Sequence, residues 1–228
     1  MVANGTSAES IRTDYDRVAG EYARQLIDEL EHKPFDRQIL DRFASQLMHR
    51  GEVCDIGCGP GQVARYLSDL GVSVFGLDLS PQMVEHARRL NLGVEFREGN
   101  MLALDLPDES LAGIVAFYAI VNLSHDLLAS AFREMARVLR PGGMLLVAFH
   151  VGDDVIHPKE LFGSPISMQF CMFQPSVIVQ RLTDVGFTVE EILERQPYAP
   201  EVEYQSRRAY VFARAGVSGA PTKVNVIV

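Results

Sequence analysis

Three glycines at alternate positions follow an aspartate in the stretch "VCDIGCGPGQ", residues 53–62. Asp55 precedes the turn, and Gly57, Gly59 and Gly61 form it. Glycines remove side chains from a turn, so the backbone itself can touch a ligand. Where such a turn opens a helix, the free amide groups of the first helical turn also point at the ligand. The stretch therefore predicts a site at which a small molecule contacts the backbone.

The dinucleotide fingerprint G-x-G-x-x-G is the first pattern to compare with this stretch. Its third glycine allows a helix to pack closely over a pyrophosphate, and here Gln62 occupies that position. The spacing disfavours an NAD(P)-dependent oxidoreductase, which we keep as an alternative. Asp78 ends the next strand-like run, about 20 residues after the first glycine, where a carboxylate can accept hydrogen bonds from ribose hydroxyls.

Candidate proton acceptors follow the later strand-like runs. His150 ends the fifth run, His125 lies just after the fourth, and His157 lies further along the chain. Each has a reference pKa near neutral that suits a general base. Glu203 and Arg207 precede the last run and could orient a polar substrate. The alternatives are capping or solvated histidines and a surface ion pair.

Strand-like and helix-like patterns alternate along the chain, which predicts a doubly wound α/β sheet. The run "LAGIVAFYAI" is apolar throughout, as in a central strand covered on both faces. Ser80 and Ser124 stand at positions that suit helix N-caps, and "RPGG" follows the helix after Ser124 as a stop signal. The strand-like runs are "EVCDIG", "VSVFGLDLS", "VEFREGN", "LAGIVAFYAI", "MLLVAFH", "TVEEILE" and "RAYVFAR".

One domain accounts for this alternation. We expect it over residues 1–215, with 216–228 as a peripheral tail. The stretch between the fifth strand and the next helix is long enough for a lid. Its "FGSPISMQFCMF" suggests an apolar or aromatic substrate face, and packing in the core is the alternative. The expected parts are a helical cover (8–50), a cofactor-binding core (51–150), a lid or insertion (151–174) and a C-terminal helix with strands (175–214).

The stretch "DIGCGPG" resembles motif I of the class I S-adenosylmethionine-dependent methyltransferases, which reads acidic-x-Gly-x-Gly-x-Gly. Asp78, "LRPGG" and the "YDRVAGEY" of the first helix are also similar to that family, and the resemblance runs from about Tyr15 to "RAYVFAR". It implies a Rossmann-like, mostly parallel seven-stranded sheet whose last strand is antiparallel. It also implies methyl transfer from S-adenosylmethionine, with S-adenosylhomocysteine as product.

The resemblance also implies roles for individual residues. The glycines and Asp55 would contact the methionine part of the cofactor, Asp78 the ribose, and Leu79 and Met83 the adenine. Asn100 stands where the family often has an aspartate, and the backbone carbonyl of Phe117 would meet the ammonium group. The implied cofactor contacts are Asp55, Gly57, Gly59, Gly61, Asp78, Leu79, Met83, Asn100, Met101, Phe117 and Tyr22. The candidate substrate contacts are Tyr15, Tyr118, His157 and Arg207, and the candidate catalytic residues are His150, His125 and Glu203. For Tyr15 and Tyr22, packing in the core is the alternative.

Charge and composition indicate which classes of partner to expect. A formal net charge of −9 disfavours nucleic acid, and no apolar run is long enough to predict a membrane span. The first residues lack the pattern of a signal peptide, so we expect a cytoplasmic protein, either a monomer or a homodimer. Three cysteines predict neither a disulfide framework nor a zinc site.

The absence of two methyltransferase motifs limits the expected substrate class. The fourth strand lacks the Asn/Asp-Pro-Pro-Tyr signature of enzymes that methylate planar amines and amides. Asp153 and Asp154 supply only one of the two acidic positions that a magnesium-dependent catechol type needs. We therefore expect no metal and a small-molecule substrate with an oxygen, nitrogen or carbon nucleophile. A noncatalytic protein that binds S-adenosylmethionine is a further alternative.

Overall fold

The computed structural model describes residues 7–216 and the backbone of residues 223–226. Within these residues, 3-10 turns occupy Glu29–His32 and Ala119–Asn122. The α-helices are α1 (Ala8–Leu26), α2 (Pro34–Leu47), α3 (Gln62–Asp69), α4 (Pro81–Leu90), α5 (His125–Val138) and α6 (Pro175–Asp184). The strands are β1 (Val53–Ile56), β2 (Val74–Asp78), β3 (Glu95–Glu98), β4 (Leu111–Phe117), β5 (Leu139–His150), β6 (Val155–Ile156), β7 (Glu160–Leu161), β8 (Ser164–Pro165), β9 (Phe170–Cys171), β10 (Phe187–Arg195), β11 (Arg208–Ala215) and β12 (Lys223–Val226).

The central sheet has the strand order β12-β10-β11-β5-β4-β1-β2-β3. Strands β3, β2, β1, β4 and β5 pair in parallel, whereas β11 is antiparallel to both of its neighbours. The chain moves outward from β1 to β3 and returns to β4 on the other side of β1. The carboxyl ends of β1 and β4 therefore flank the switch point at which ligands bind in doubly wound sheets.

The predicted seven-stranded sheet with an antiparallel last strand is confirmed. Strand β12 adds an eighth strand, which pairs in parallel with β10 at the sheet edge. It belongs to the segment 216–228 that the sequence predicted as a peripheral tail. Residues 217–222 and 227–228 of that segment lie outside the described residues.

Alternate residues of β5 pack on opposite faces of the sheet. Leu145 lies in a hydrophobic cluster with Phe132 of α5, whereas Leu146 lies in a cluster with Phe43 of α2. All four side chains are fully buried. Because successive strand residues point to opposite faces, an apolar run without alternation fits a strand that is covered on both sides. The sheet thus holds β1 and β4 rigidly between two helical layers.

Local signals explain most element boundaries. Ser80 caps α4 as predicted, since its Oγ accepts a hydrogen bond from Met83 N at 3.1 Å. Ser124 occupies the N-cap position of α5, but its side chain makes no capping hydrogen bond. The "RPGG" stretch does not form a separate loop, because β5 begins at Leu139, directly after α5.

Segment 151–174 forms two small antiparallel ribbons, β6 with β9 and β7 with β8. It packs on α1, where Asp14 accepts hydrogen bonds from the backbone amides of Ser167 (2.6 Å) and Met168 (2.8 Å). Of the two interpretations of its methionines and phenylalanines, the structure favours packing in the core over a substrate face. Met168 and Phe173 are fully buried, and no residue of the segment lines the cavity at the carboxyl ends of β1, β2, β4 and β5.

Candidate cofactor and active site

A cavity of about 300 Å³ lies at the carboxyl ends of β1, β2, β4 and β5. Gly57 and Gly59 line it at the turn after β1, and Asp78 lines it at the end of β2. Tyr118 and His150 line it after β4 and at the end of β5. This is the switch-point crevice that the strand order predicts, and its volume lies at the lower end of the range for small-molecule sites.

The three glycines of the turn have different structural roles. All have positive φ, at +69° for Gly57, +52° for Gly59 and +88° for Gly61. A Cβ on Gly61 would lie 2.6 Å from the ring of Phe96 on β3, and Gly61 does not line the cavity. Gly61 therefore has no contact with the cavity in this structure, and its predicted contact with the cofactor stays a prediction. Its lack of a side chain lets the start of α3 pack against β3.

Asp78 joins the end of β2 to the glycine turn. Its Oδ2 accepts a hydrogen bond from Gly59 N at 2.8 Å, and its Oδ1 accepts one from Ser80 N at 2.9 Å. Burial raises the pKa of Asp78 above its ordinary value. Two carboxylate oxygens offer about four acceptor positions, so two remain for hydroxyl groups in the cavity. This geometry fits a ribose.

Asp55 lies one layer deeper, at the end of β1. Its Oδ2 accepts a hydrogen bond from Ala64 N at 3.0 Å, which satisfies an amide in the first turn of α3. Burial raises the pKa of Asp55 to about 8, with a further contribution from the nearby charge of Asp78. Asp55 lines the cavity, and its predicted contact with the amino group of a cofactor stays a prediction.

A polar group that the sequence analysis missed lines the cavity beside the glycine turn. Gln62 Nε2 donates to Glu29 Oε1 at 2.8 Å, and Lys33 forms an ion pair with the same carboxylate. Gln62 Oε1 is buried and has no hydrogen-bond partner among the described residues. A free acceptor beside a carboxylate fits the ammonium group of an amino acid. Gln62 was noticed only as a missing glycine, and no local pattern marks Glu29 or Lys33.

The opposite wall of the cavity is mostly apolar. Leu79, Met83 and Met101 line it, which fits the predicted adenine site. Asn100 also lines it, and its Oδ1 accepts a hydrogen bond from Leu102 N at 2.9 Å. One acceptor position of that amide oxygen is therefore used within the loop, and one remains.

Helix α1 covers the cavity. Tyr15 and Tyr22 both line it, their rings 6.0 Å apart in an edge contact, and the Tyr15 hydroxyl donates to Asn122 Oδ1 at 2.7 Å. Asp16 anchors the helix by accepting from Ser80 Oγ at 2.6 Å. Both tyrosines pack against the cluster that contains buried Val18, and both also form part of the cavity wall. Packing in the core therefore does not exclude a contact with a bound ligand.

Phe117 and Tyr118 form the wall at the end of β4. Phe117 lines the cavity, and its ring packs edge-on against Tyr118 with centroids 5.1 Å apart. Tyr118 has φ of +57°, which is uncommon for a residue with a bulky side chain. Its hydroxyl lies 3.1 Å from Asp36 Oδ1 and 3.1 Å from the Tyr210 hydroxyl, so the phenol is held at both sides.

His150 is the one candidate histidine that lines the cavity within residues 7–216. Burial lowers the pKa of His150 to about 3, and the positive charge of Arg208 contributes. His125 and His157 are exposed, and neither lines the cavity. The ring of His125 packs against Phe173, at the start of α5. The structure therefore does not bring His125 or His157 to the cavity, because the loops after β4 and β5 carry both side chains outward, and their catalytic or substrate contacts stay predictions.

Glu203 and Arg207 do not pair with each other. Glu203 is buried and accepts from Tyr198 N at 2.7 Å and from the guanidinium of Arg195. Burial alone would raise the pKa of Glu203, but these hydrogen bonds hold it below the ordinary value. Arg207 is exposed, bonds Glu194 at 3.1 Å and does not line the cavity. Glu203 lines the cavity, and these hydrogen bonds lower the basicity of its carboxylate, while its predicted catalytic role stays a prediction.

The described residues contain neither a candidate metal site nor a helix that could span a membrane. Within residues 7–216 and 223–226, no group of three or more histidine, cysteine or acidic side chains could hold a metal ion. Cys54, Cys58 and Cys171 are buried and form no disulfide. No helix in this part of the chain has the length and apolar character needed to cross a bilayer.

A protein-family model described as "Methyltransferase domain" matches residues 53–143, which contain β1 to β4 and the glycine turn. The malonyl-[acyl-carrier protein] O-methyltransferase of Enterobacter lignolyticus is 33% identical over 134 residues, 58% of this chain and 53% of that protein. A probable S-adenosylmethionine-dependent methyltransferase of Mycolicibacterium smegmatis is 33% identical over 165 residues, 68% of this chain and 58% of that protein. The chain thus spans little more than half the length of these relatives.

A solved structure extends the likeness to almost the whole chain. The complex of DhpI with SAH superposes with a TM-score of 0.72 at 20% sequence identity, over 94% of this chain and 99% of that chain. At this identity the likeness shows a shared fold.

Proposed function

Because the chain belongs to the class I S-adenosylmethionine-dependent methyltransferases, we propose that it transfers a methyl group from S-adenosylmethionine to a small molecule. The acceptor is an oxygen, nitrogen or carbon nucleophile, and the transfer is an in-line displacement that needs no metal. The product is S-adenosylhomocysteine. The names of the curated relatives, which include O-methyltransferases and a hydroquinone methyltransferase, support a small-molecule substrate.

The arrangement of Asp78 around Gly59 is the observation that carries this proposal. It leaves a buried carboxylate with spare acceptor positions beside a turn that has no side chains, at the switch point of the sheet. Gln62 and Glu29 line the same cavity and supply acceptors for an ammonium group. Polar sites for a ribose and for an amino acid thus share one cavity.

The chain's own residues have a limited task in this reaction. S-adenosylmethionine, when bound, supplies an already activated methyl group on a sulfonium. Asp78 would hold the ribose end of that molecule, Gln62 and Glu29 would hold its ammonium end, and α1 would exclude water from the cavity. Tyr118 and His150 line the side of the cavity that β4 and β5 form, where we place the substrate. Positioning of this kind contributes a large share of the rate in reactions between two bound molecules.

We also propose that segment 151–174 acts as a lid through α1. The segment does not touch the cavity, but it holds Asp14 of α1 through Ser167 and Met168. Tyr22, which lines the cavity, contacts Phe162 of the segment at 5.7 Å between ring centroids. Entry of the cofactor would then require α1 and the segment to move together.

Calorimetric titration with S-adenosylmethionine, S-adenosylhomocysteine and NAD tests the proposal. We expect micromolar binding of the first two and no binding of NAD. Binding of NAD alone would replace the proposal with the oxidoreductase alternative, which the position of Gln62 disfavours. Binding of S-adenosylmethionine without turnover of any acid, phenol, amine or activated carbon acceptor would favour the noncatalytic alternative.

A further inference from the structure

The hydroxyl of Ser206 lies between a cation and the imidazole of His150. Ser206 Oγ accepts a hydrogen bond from Arg208 Nη1 and lies 2.8 Å from His150 Nδ1. Two acceptors compete for the proton of this hydroxyl, His150 Nδ1 at 2.8 Å and the Arg207 carbonyl oxygen at 3.3 Å. The choice between them decides which nitrogen of His150 carries the ring proton.

The shorter contact favours His150 Nδ1 as the acceptor. A guanidinium that donates to Ser206 Oγ polarises the hydroxyl and makes it a stronger donor to its next partner. In a neutral imidazole, an Nδ1 that accepts leaves the proton on Nε2. Nε2 of His150 has no hydrogen-bond partner among the described residues, and the ring lines the cavity.

The surroundings keep this ring in the wall of the cavity. Tyr118 packs against it with centroids 5.4 Å apart, and Tyr204 packs edge-on at 6.1 Å. The charged groups that act on His150 are Arg208 of β11, Arg195 of β10, Lys33 before α2 and the Glu203 carboxylate. Burial and the three cations oppose a positive charge on the ring, whereas the Glu203 carboxylate favours it, and the net result is a lowered pKa of His150.

We propose that Ser206 fixes His150 as the Nε2–H tautomer, and that His150 donates this hydrogen bond to a deprotonated oxygen of the substrate, a carboxylate or an acidic phenolate. The inference rests on the proposed function and names its substrate class. His150 is then a catalytic residue that touches the substrate, and Ser206 is a positioning residue that acts through it.

The substrate class follows from the lack of a suitable base at this wall. An Nε2–H group cannot accept a proton, and Glu203 is held by Arg195 and Tyr198. A nucleophile that keeps its proton at neutral pH would therefore find no acceptor in these two side chains. A carboxylate or phenolate oxygen has several lone pairs, so it can accept from Nε2 while another lone pair attacks.

The step balances without a proton transfer. The substrate oxygen forms a bond to the methyl carbon while the carbon–sulfur bond breaks, and sulfur keeps the electron pair. The negative charge of the oxygen and the positive charge of the sulfonium disappear together. The products are a neutral ester or ether and a thioether.

Nitrogen NMR of the histidine side chains tests the tautomer directly. On the full chain loaded with S-adenosylhomocysteine, we expect the His150 signals of an Nε2–H tautomer that do not change between pH 5 and 9. His150→Gln assigns the signals. Ser206→Ala should lose the single tautomer, and Ser206→Thr, which keeps the hydroxyl, should restore it. An Nδ1–H tautomer in the unmodified protein, or titration near pH 6.5, overturns the proposal.

Benzoate and benzylamine serve as probes of the substrate class in the same sample. We expect benzoate to shift the His150 Nε2–H signal in a saturable way and benzylamine to leave it unchanged. In Ser206→Ala the benzoate affinity should fall about tenfold, roughly one hydrogen bond to a charged group, with unchanged affinity for S-adenosylhomocysteine. A shift with benzylamine alone, or with neither probe at 50 mM (roughly the weak-binding limit), contradicts the inference. Failure of the proposed function would appear separately, as absent binding of S-adenosylhomocysteine.

Discussion

The carboxylate of Asp78 accepts a hydrogen bond of 2.8 Å from the backbone amide of Gly59. This contact joins the end of β2 to the turn after β1, so a hydrogen bond within the protein orders the proposed ribose site. A site that is already ordered loses less conformational entropy on binding. The same contact also means that Asp78 has a structural role, which any test of its binding role must separate.

We expect Asp78→Ala to weaken binding of S-adenosylmethionine and S-adenosylhomocysteine by about a hundredfold or more. Hydrogen bonds from hydroxyls to a charged acceptor contribute about 1.5–3 kcal/mol each, and two would be lost. Calorimetry at pH 7.5 provides the measurement. Asp69→Ala is the matched control, because Asp69 lies on the surface of α3 and bonds only Arg65 in the described contacts. Unchanged affinity in Asp78→Ala, with the fold intact by circular dichroism, would contradict the ribose site.

Gly61→Ala should destabilise the fold more than Gly93→Ala. Both glycines have positive φ, +88° and +94°, so each alanine costs about 1–2 kcal/mol of backbone strain. A Cβ at position 61 would additionally lie 2.6 Å from Phe96, whereas a Cβ at position 93 meets no atom within 4 Å. Overpacking of this kind costs about 1–3 kcal/mol more. Urea denaturation measures the difference, and equal losses in both variants would show that Gly61 is not a packing position.

Asp55→Asn should change how stability depends on pH. The pKa of Asp55 is raised from 3.8 to about 8 in the folded state, so the unmodified protein binds one more proton folded than unfolded between these values. Its free energy of unfolding therefore falls as pH rises through this window, by at most about 1.4 kcal/mol per pH unit from this group. Asparagine removes that slope and still accepts from Ala64 N. We expect the variant to gain stability relative to the unmodified protein from pH 4 to pH 8, and then no further.

The control for this measurement is Asp41→Asn, at an exposed carboxylate that bonds Tyr66. Thermal unfolding between pH 4.5 and pH 8.5, in a buffer series of constant ionic strength, compares the three proteins. Parallel curves for Asp55→Asn and the unmodified protein would contradict the raised pKa of Asp55.

Asp14→Ala should release α1 from segment 151–174. The Asp14 carboxylate accepts from Ser167 N, Ser167 Oγ and Met168 N, and its loss leaves the buried amide of Met168 without this partner. We expect a loss of about 1–3 kcal/mol in stability and several-fold faster dissociation of S-adenosylhomocysteine in stopped flow. Glu9→Ala, at an exposed position on the same helix, is the control. An unchanged dissociation rate would argue against the proposed lid.

The sign of the pH effect follows for Asp14. Burial alone would raise its pKa, but the hydrogen bonds from Ser167, Met168 and Arg17 hold it below 3.8. The carboxylate therefore stabilises the fold above its unfolded pKa, and this contribution is lost as pH falls through the folded value. We expect the difference in stability between Asp14→Ala and the unmodified protein to shrink below about pH 4.

The local sequence determined the strands, the glycine turn and Asp78. These features depend on apolar runs, on caps such as Ser80 and on turn glycines. Because each of these acts over a few neighbouring residues, it can be recognised from the sequence alone. The strand order then follows from the connections, which places the ends of β1 and β4 at one crevice. These features suffice to predict the fold and the cofactor side of the cavity.

Only the tertiary structure decided which polar residues meet in that cavity. Gln62 and Glu29 are 33 positions apart, and Ser206 reaches His150 across 56 positions, so no local spacing marks either contact. Loop conformation places His125 and His157 on the surface and buries Glu203 beside Arg195. It depends on tertiary packing, which the periodicity of the sequence does not predict. The low pKa of His150 likewise comes from burial and from cations on other elements, because electrostatic effects follow distance in space and not position in the chain.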